Sequence, residues 1–339
     1  MNSRHSTVFE NITLPAKALS FALAKNLRTG ASYNWHRTFP VLAQLDKMEM
    51  KRSAVIFPND CPNSAHDAYV LGQIGLPLDM GIALFEAIHQ DIPLAIKDLE
   101  DKSFAQWFCL SPVHWRAGRD HVNLMALTDD DITLDETKVL VNSIAPWLAK
   151  WGWHIHVASP SKWFVRTLEH FDYHAPSLKL AQSDQLENFL PRGRALSRWQ
   201  TLLTEIQMLW FENPVNQARA KRQQVAINSL WLYGGVNTRV INADKALQFR
   251  AVSASIEKPS VNKVNDIHAH LAWLDQKMLP VLDAVKTHGK ATFSLLGDTW
   301  QQDIEVTQPS WTNALKSKVS TQKKAPLLWL EQPKFDFIQ

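Results

Sequence analysis

The chain has 339 residues, 45% of them hydrophobic and 10% aromatic, which is enough core-forming material for two domains. Its 36 basic and 33 acidic residues leave a formal charge of +3 spread along the chain. The dense basic footprint of a duplex-DNA binder is missing, so there is no strong nucleic-acid signal. Cys61 and Cys109 have no CxxC spacing and offer neither a disulfide scaffold nor a structural zinc site; they fit a reducing cytoplasm. Pro15 and Lys17 break the apolar segment 14–23, and no run of about eighteen apolar residues occurs, so neither export nor a membrane span is expected.

Residues 1 to about 55 read as irregular to helical, and Pro58, Asn59, Pro62 and Asn63 make 57–64 a polar turn. A first, smaller unit is placed over 1–100, a larger one over 101–315, and a tail over 316–339, of which 316–324 are expected to be polar, basic and mobile. Residues 104–110 are apolar enough for a buried strand. Residues 121–127 alternate as a second, with Val122, Leu124 and Ala126 on one face. Thr133-Leu134-Asp135-Glu136 has capping-box spacing, so a helix starts there; Leu140, Ile144, Trp147 and Leu148 form its apolar stripe and Gly152 ends it. Residues 153–158 and 162–168 are two strands joined at Ser159-Pro160-Ser161.

Leu196, Trp199, Leu203, Ile206 and Trp210 share one face of a helix over 196–211, which Pro214 interrupts or follows with a new turn. Residues 228–235 read as a buried strand closed by a tight loop at Gly234-Gly235. A helix over 266–285, kinked or restarted at Pro280, precedes a hairpin of 291–296 and 299–306 turning at Gly297-Asp298. The order of elements predicts an α+β fold, with mixed sheets flanked by helices. The fourteen tryptophans are expected mainly in cores and between packed elements, with a binding surface as the alternative.

Several polar clusters are candidates for chemistry. Asp60, Asn63, Ser64, His66 and Asp67 combine a hydroxyl, an imidazole and two carboxylates within a short stretch, but a capped turn uses the same residues. Ser111 to His121, placed between two strands, carries His114, Trp115, Arg116, Arg119 and His121. These could receive a phosphate or a carboxylate, while Arg119-Asp120 equally suits a local ion pair. His154 and His156 face the same side of a strand, as metal ligands can, although an ordinary strand face needs no more explanation. His268 and His270 fall on different faces of a helix. Asn216, Arg219 and Asn228 could surround an anion together with the glycine loop, or the asparagines could satisfy backbone groups in a tight connection.

Asn213-Pro214-Val215-Asn216 with Arg219, followed by Asn228-Ser229-Leu230-Trp231-Leu232-Tyr233-Gly234, resembles the HPVN…R…PVN-x-WLWGxG signature of RpfE-type regulatory proteins, a family related to archaeal-type cofactor-independent phosphoglycerate mutase. Ser111-Pro112-Val113-His114-Trp115 is similar to the TPCHW or DPVHL segment of the same family. The resemblance covers about residues 100–240 and, more loosely, extends to about 306. Gln223, Ala226 and Val236 depart from it, standing where Gly, Pro and Gly are usual. It implies the fold of the mutase's inserted lid domain, which contacts substrate without carrying the metals. The two-metal chemistry of such mutases requires an Asp-rich set, His ligands and a Ser nucleophile, and no such set is legible in the chain.

The resemblance thus implies a cytoplasmic, non-catalytic binding or regulatory protein with no catalytic residues and no cofactor, a divalent metal being left open. His114, Arg119, His121, Arg166, Asn216, Arg219, Asn228 and Trp231 are the expected ligand-binding residues. The expected partner is a phosphorylated small molecule or a protein. One alternative is an enzyme acting on a phosphorylated small molecule, mutase-like or phosphatase-like, with Arg119, Arg166 and Arg219 holding the phosphate. Another is a protein-partner module anchored by exposed tryptophans.

Overall fold

Two sheets, each with its own hydrophobic core, organise the chain. The computed structural model describes residues 7–10, 35–56, 61–101, 104–117, 122–182, 190–257, 267–297 and 300–309. Residues 1–57 with 254–339 make unit 1, and 58–253 make unit 2, so the second is inserted into the first. The units therefore part at 57/58 and 253/254 rather than near residue 100.

Unit 1 begins with β1 (Thr7–Glu10), α1 (Trp35–Thr38), α2 (Pro40–Leu45) and β2 (Glu49–Ile56). Unit 2 contains α3 (Ala65–Gln73), α4 (Ala83–His89), α5 (Pro93–Asp101), β3 (Gln106–Ala117), β4 (Val122–Ala126), α6 (Leu134–Lys150), β5 (Trp153–Val157) and β6 (Trp163–Thr167). It continues with α7 (Leu178–Ala181), α8 (Leu196–Phe211), α9 (Pro214–Lys221), β7 (Ser229–Asn237) and α10 (Ala243–Ser255). Unit 1 then resumes with β8 (Ile256–Glu257), α11 (Ile267–Lys277), α12 (Leu279–His288), β9 (Lys290–Leu296) and β10 (Trp300–Thr307).

The sheet of unit 1 runs β2-β10-β9-β1-β8, with β1 parallel to both neighbours and the remaining pairs antiparallel. Strand β2, absent from the sequence reading, lies at the edge. Its exposed Lys51 and Arg52 suit that position and hide the strand from any apolar pattern. Trp300, Ile304 and Val306 alternate inward along β10 and join Phe293, Leu295, Leu282, Val285, Leu274 and Leu42 in the core. Pro280 sits in the first turn of α12, so the helix restarts there, as its missing N–H permits. The α2 N-terminus has no cap of its own; Asp275 of α11 accepts the Leu42 amide at 2.8 Å instead.

Strand β3 is the spine of unit 2. One edge pairs with β6 at Gln106–Leu110 and then with β4 at Val113–Ala117, while β7 pairs along the other edge, all antiparallel; β5 extends the sheet beyond β6. The strand runs through Ser111–Arg116, the segment expected as a loop. Pro112 is tolerated because it falls in the gap between the β6 and β4 ladders: the Val113 carbonyl accepts from Asn228 on the β7 side, which turns the Pro112 nitrogen the other way. Likewise β7 does not stop at its glycines but continues to Asn237, with a register shift opposite Trp107 and Cys109. A methyl group at Gly81 would lie 2.0 Å from the Gly235 carbonyl oxygen, so two backbones meet there with no room for a side chain.

On one face of this sheet Phe108, Leu110, Trp163, Val165, Leu230 and Leu232 meet Leu140, Ile144 and Leu148 of α6 and Trp199, Leu202, Ile206 and Trp210 of α8. The Thr133/Glu136 capping box starts α6 and Gly152, at φ 69°, follows its end, as the sequence indicates. Trp147 leaves the predicted stripe: it is 38% exposed, with the Lys150 ammonium 5.0 Å from its ring centre. Buried indole N–H groups find acceptors: Trp210 at Ser143 Oγ (3.0 Å), Trp163 at Pro160 O (2.9 Å) and Trp231 at Pro176 O (2.9 Å). Most described tryptophans are core residues, and Trp147 is the one among them counted as exposed.

Gln223 follows α9 in the left-handed region, at φ 58°. Glycine takes this backbone conformation without the steric cost that a Cβ adds. Two substitutions should therefore act with opposite signs in urea unfolding. Gly235→Ala, whose methyl would come within 2.3 Å of Phe108 Cε1, should destabilise by about 2 kcal/mol. Gln223→Gly should stabilise by up to about 1 kcal/mol.

Candidate functional site

The structure gathers Asn216, Arg219 and Asn228 around the connection from α9 to β7. Asn216 donates to Trp210 O and Ile227 O and accepts from the Ile227 amide, each at 2.8 Å. Arg219, 1% exposed, donates from Nε to Val225 O (2.8 Å) and from Nη1 to Asp131 O (2.9 Å) and Glu136 Oε2 (3.1 Å). Asn228 lies one residue before β7 and continues its ladder with a side chain, accepting from the Trp115 amide (2.7 Å) and donating to the Trp115 carbonyl (2.9 Å). The half-buried His114 ring contacts Ala226 O through Nδ1 at 2.8 Å. Trp231 is buried with its N–H on Pro176. Arg119, Asp120, His121 and the tail 316–339 lie outside the described residues.

Glu136 is the hub of this region. It accepts the Thr133 amide to close the capping box (2.9 Å) and bridges Arg219 to the exposed Arg222, whose Nη2 is 2.5 Å away. Burial alone would raise the Glu136 carboxyl, but the Thr133 amide and the two guanidinium charges outweigh it and hold the group below the ordinary glutamate value.

The second sheet face of unit 2 is chemically different from the first. Strand alternation puts Trp107, Cys109 and Ser111 opposite the Phe108 and Leu110 side, and register aligns them with Arg166 and Phe164 of β6 and with Tyr233 of β7. Helix α4 packs on this sheet, and its Phe85 stacks on Phe249 of α10 at 4.7 Å. Asp98 of α5, 3% exposed, receives the Arg166 guanidinium through two bonds of 2.6 Å and the Trp107 indole at 2.9 Å. This fork ties α5 to the sheet.

Beside it Lys162 pairs with Glu86. Burial works against the Lys162 ammonium, yet Glu86 raises its pKa above the ordinary value. Tyr233 is in hydrogen-bond reach of Ser111 and Cys109, and burial pushes both the phenol and the thiol well up, so each stays a neutral donor at physiological pH.

Ser64, His66 and Asp67 stand at the start of α3. Ser64 is the N-cap, accepting the Asp67 amide and donating through Oγ to Asp67 Oδ2 at 2.7 Å, so the capped-turn reading describes the backbone. The side chains go further: His66 Nδ1 meets Asp67 Oδ1 at 3.1 Å, and His66 Nε2 meets Ser253 Oγ of α10 at 3.4 Å. Burial alone would raise the Asp67 carboxyl, but the hydrogen bond and charge of His66 and the Ser64 hydroxyl hold it low. An ionised Asp67 can only accept, which assigns the hydrogen to His66 Nδ1 and leaves Nε2 facing the serine.

Glu86, Asp98, Lys162, Tyr233 and Ser253 are not marked out as site residues by any pattern in the sequence. Polar Cys109 and Ser111, two apart in an apolar strand, were the available signal for a polar sheet face; Ser253 had none. His154 and His156 do share this face, aligned with Arg166 and Phe164, and the His156 ring stacks on Trp107 at 5.3 Å. Among the described residues no group of three or more His, Cys, Asp or Glu side chains is placed to hold a metal ion, and no helix is long and apolar enough to cross a membrane.

No protein-family model matches the chain, and no curated protein matches it. Among solved structures, a cofactor-independent phosphoglycerate mutase from Thermoplasma acidophilum DSM 1728 is similar at 11% identity, over 89% of this chain and 90% of that one, with a TM-score of 0.32. The PH0037 protein from Pyrococcus horikoshii is similar at 11% identity, over 80% of each chain, with a TM-score of 0.38. These are weak structural similarities, and no activity or ligand is carried over from them.

Two stability predictions follow from the buried charges. A carboxyl held below its unfolded value of about 4.3 stabilises the fold above that pH and stops doing so as pH falls through the folded value. Glu136→Gln should thus lower the unfolding free energy by about 3 kcal/mol at neutral pH, and the gap to the parent should close on acidification; a gap independent of pH would remove the carboxylate charge as its source. Asp98→Ala should cost about 3–5 kcal/mol by stranding Arg166, and adding Arg166→Met should recover part of the loss in a double-mutant cycle.

Proposed function

We propose that this chain is a binding or regulatory protein of the RpfE type, non-catalytic in the segments that carry its resemblance to phosphoglycerate mutase. The observation that carries the reading is the use made of Arg219. A guanidinium that is to neutralise a phosphate or a developing charge has to keep donors available to it. Arg219 is instead 1% exposed and donates to Val225, Asp131 and Glu136. Arg166 is committed in the same way to Asp98. Phosphate capture by these two arginines would break buried ion pairs, so they support a binding region without forming its contacts. Asn216 and Asn228 act likewise on backbone groups, as one of the two sequence readings had it. A small phosphorylated molecule or a protein is the partner class, recognised by the rim of this framework around His114.

The test combines turnover with ligand-induced stabilisation. Phosphoglycerate isomerisation should be undetectable with manganese or zinc added, and metal-dependent isomerisation would overturn the reading. In a thermal-shift screen of phosphorylated metabolites, any ligand that raises the Tm of the parent should also raise that of Asn216→Ala. That variant should start lower by about 1–3 kcal/mol. A variant with an unchanged starting Tm and no ligand response would make Asn216 a direct contact instead.

A further inference from the structure

The geometry points to Ser253 as a nucleophile for a small carboxylic ester, activated by His66 and oriented by Asp67. This goes beyond the binding reading, because none of the three residues belongs to the motifs that carry the mutase resemblance, and the arrangement would stand if that reading failed. Nucleophile, base and orienting acid occur in the required order: Ser253 Oγ to His66 Nε2 at 3.4 Å, and His66 Nδ1 to Asp67 Oδ1 at 3.1 Å. A serine–imidazole contact of this length suits a site without substrate and tightens in the complex. The carboxylate is itself fixed, since Ser64 Oγ donates to its other oxygen at 2.7 Å and the Ser64 N-cap receives the Asp67 amide.

Burial is graded along the relay. Asp67 and His66 are buried at 8% and 6% exposure, whereas Ser253 is half-buried, so the acid and base are more shielded than the residue that carries the nucleophile. A helix-capping role accounts for Ser64 and Asp67. It does not account for an imidazole that spans from that cap to a hydroxyl on α10.

The chemistry balances with water as the sole co-reactant. Ser253 Oγ attacks the acyl carbon as its proton passes to His66 Nε2. The C–O bond of the ester breaks, and the departing alkoxide takes that proton and leaves as an alcohol. Water then attacks the acyl-serine, giving its proton to His66, and the serine oxygen recovers the proton as the carboxylic acid departs. Asp67 keeps the imidazolium oriented in both halves and exchanges no proton with the substrate.

The experiment is labelling of the full chain with a fluorophosphonate probe, located by peptide mass spectrometry, beside hydrolysis of p-nitrophenyl acetate. One adduct per chain is expected on Ser253, and none on the half-buried Ser253→Ala variant. His66→Gln should reduce both the labelling rate and ester hydrolysis by at least about 100-fold while circular dichroism shows the fold retained. Should His66→Gln fail to fold, Asp67→Asn and the parent's own adduct site still decide. A folded parent that is unlabelled at Ser253, or is labelled equally in a folded relay variant, would overturn the proposal.

Discussion

Strand β3 has ladders on both edges and is buried from Gln106 to Val113, so its backbone groups there have little solvent to turn to and are answered within the fold. Much of unit 2 can be read as the set of answers. β6 and β4 share one edge end to end, and a proline occupies the gap between them, where no amide is wanted. On the other edge β7 would leave Trp115 unanswered, and the Asn228 side chain supplies the missing donor and acceptor. The register shift at Gly234 and Gly235 lets β7 resume its pairing at Trp107 and Gln106, and Gly81 leaves room for it.

The two faces of that sheet divide the work. One is a conventional apolar core between the sheet and helices α6 and α8, in which the Trp163, Trp210 and Trp231 N–H groups are each given an acceptor. The other carries ion pairs and neutral donors: Arg166 with Asp98, Lys162 with Glu86, Cys109 with Tyr233. Burying charge is unfavourable unless each is met by its opposite, and here the pairing also fixes which helix lies where on the sheet. A polar layer of this kind supplies specificity of packing as well as a set of groups from which chemistry could be recruited.

How far the sequence could be read follows from the range of the interactions. Helices α6 and α8 were legible because capping at Thr133 and Glu136 and the spacing of Trp199, Ile206 and Trp210 are local properties. The α+β class with mixed sheets was legible for the same reason. Strand β2 was not, because its charged edge is ordered by β10, far along the chain. The segment around His114 reads as a loop because it lies between two strand patterns, and only the register of β6 and β4 shows how a strand passes through Pro112. For the candidate site, Ser64, His66 and Asp67 were visible as a cluster, but the serine that meets His66 comes from a helix with no distinguishing pattern. Arg219 and Asn216 stand out in the sequence as polar residues in a tight connection; what they grip is set by the fold.

Insertion of unit 2 within unit 1 also constrains how the protein is made. Val8 pairs with Ser294 and Glu49 with Thr307, so the first sheet cannot close until the chain as far as Thr307 has left the ribosome. Unit 2 is contiguous and can condense while synthesis continues, whereas β1 and β2 must wait as unsatisfied strand edges. The charges on β2 therefore matter before the native state exists: Lys51 and Arg52 guard a nascent strand against pairing with the wrong chain during that delay.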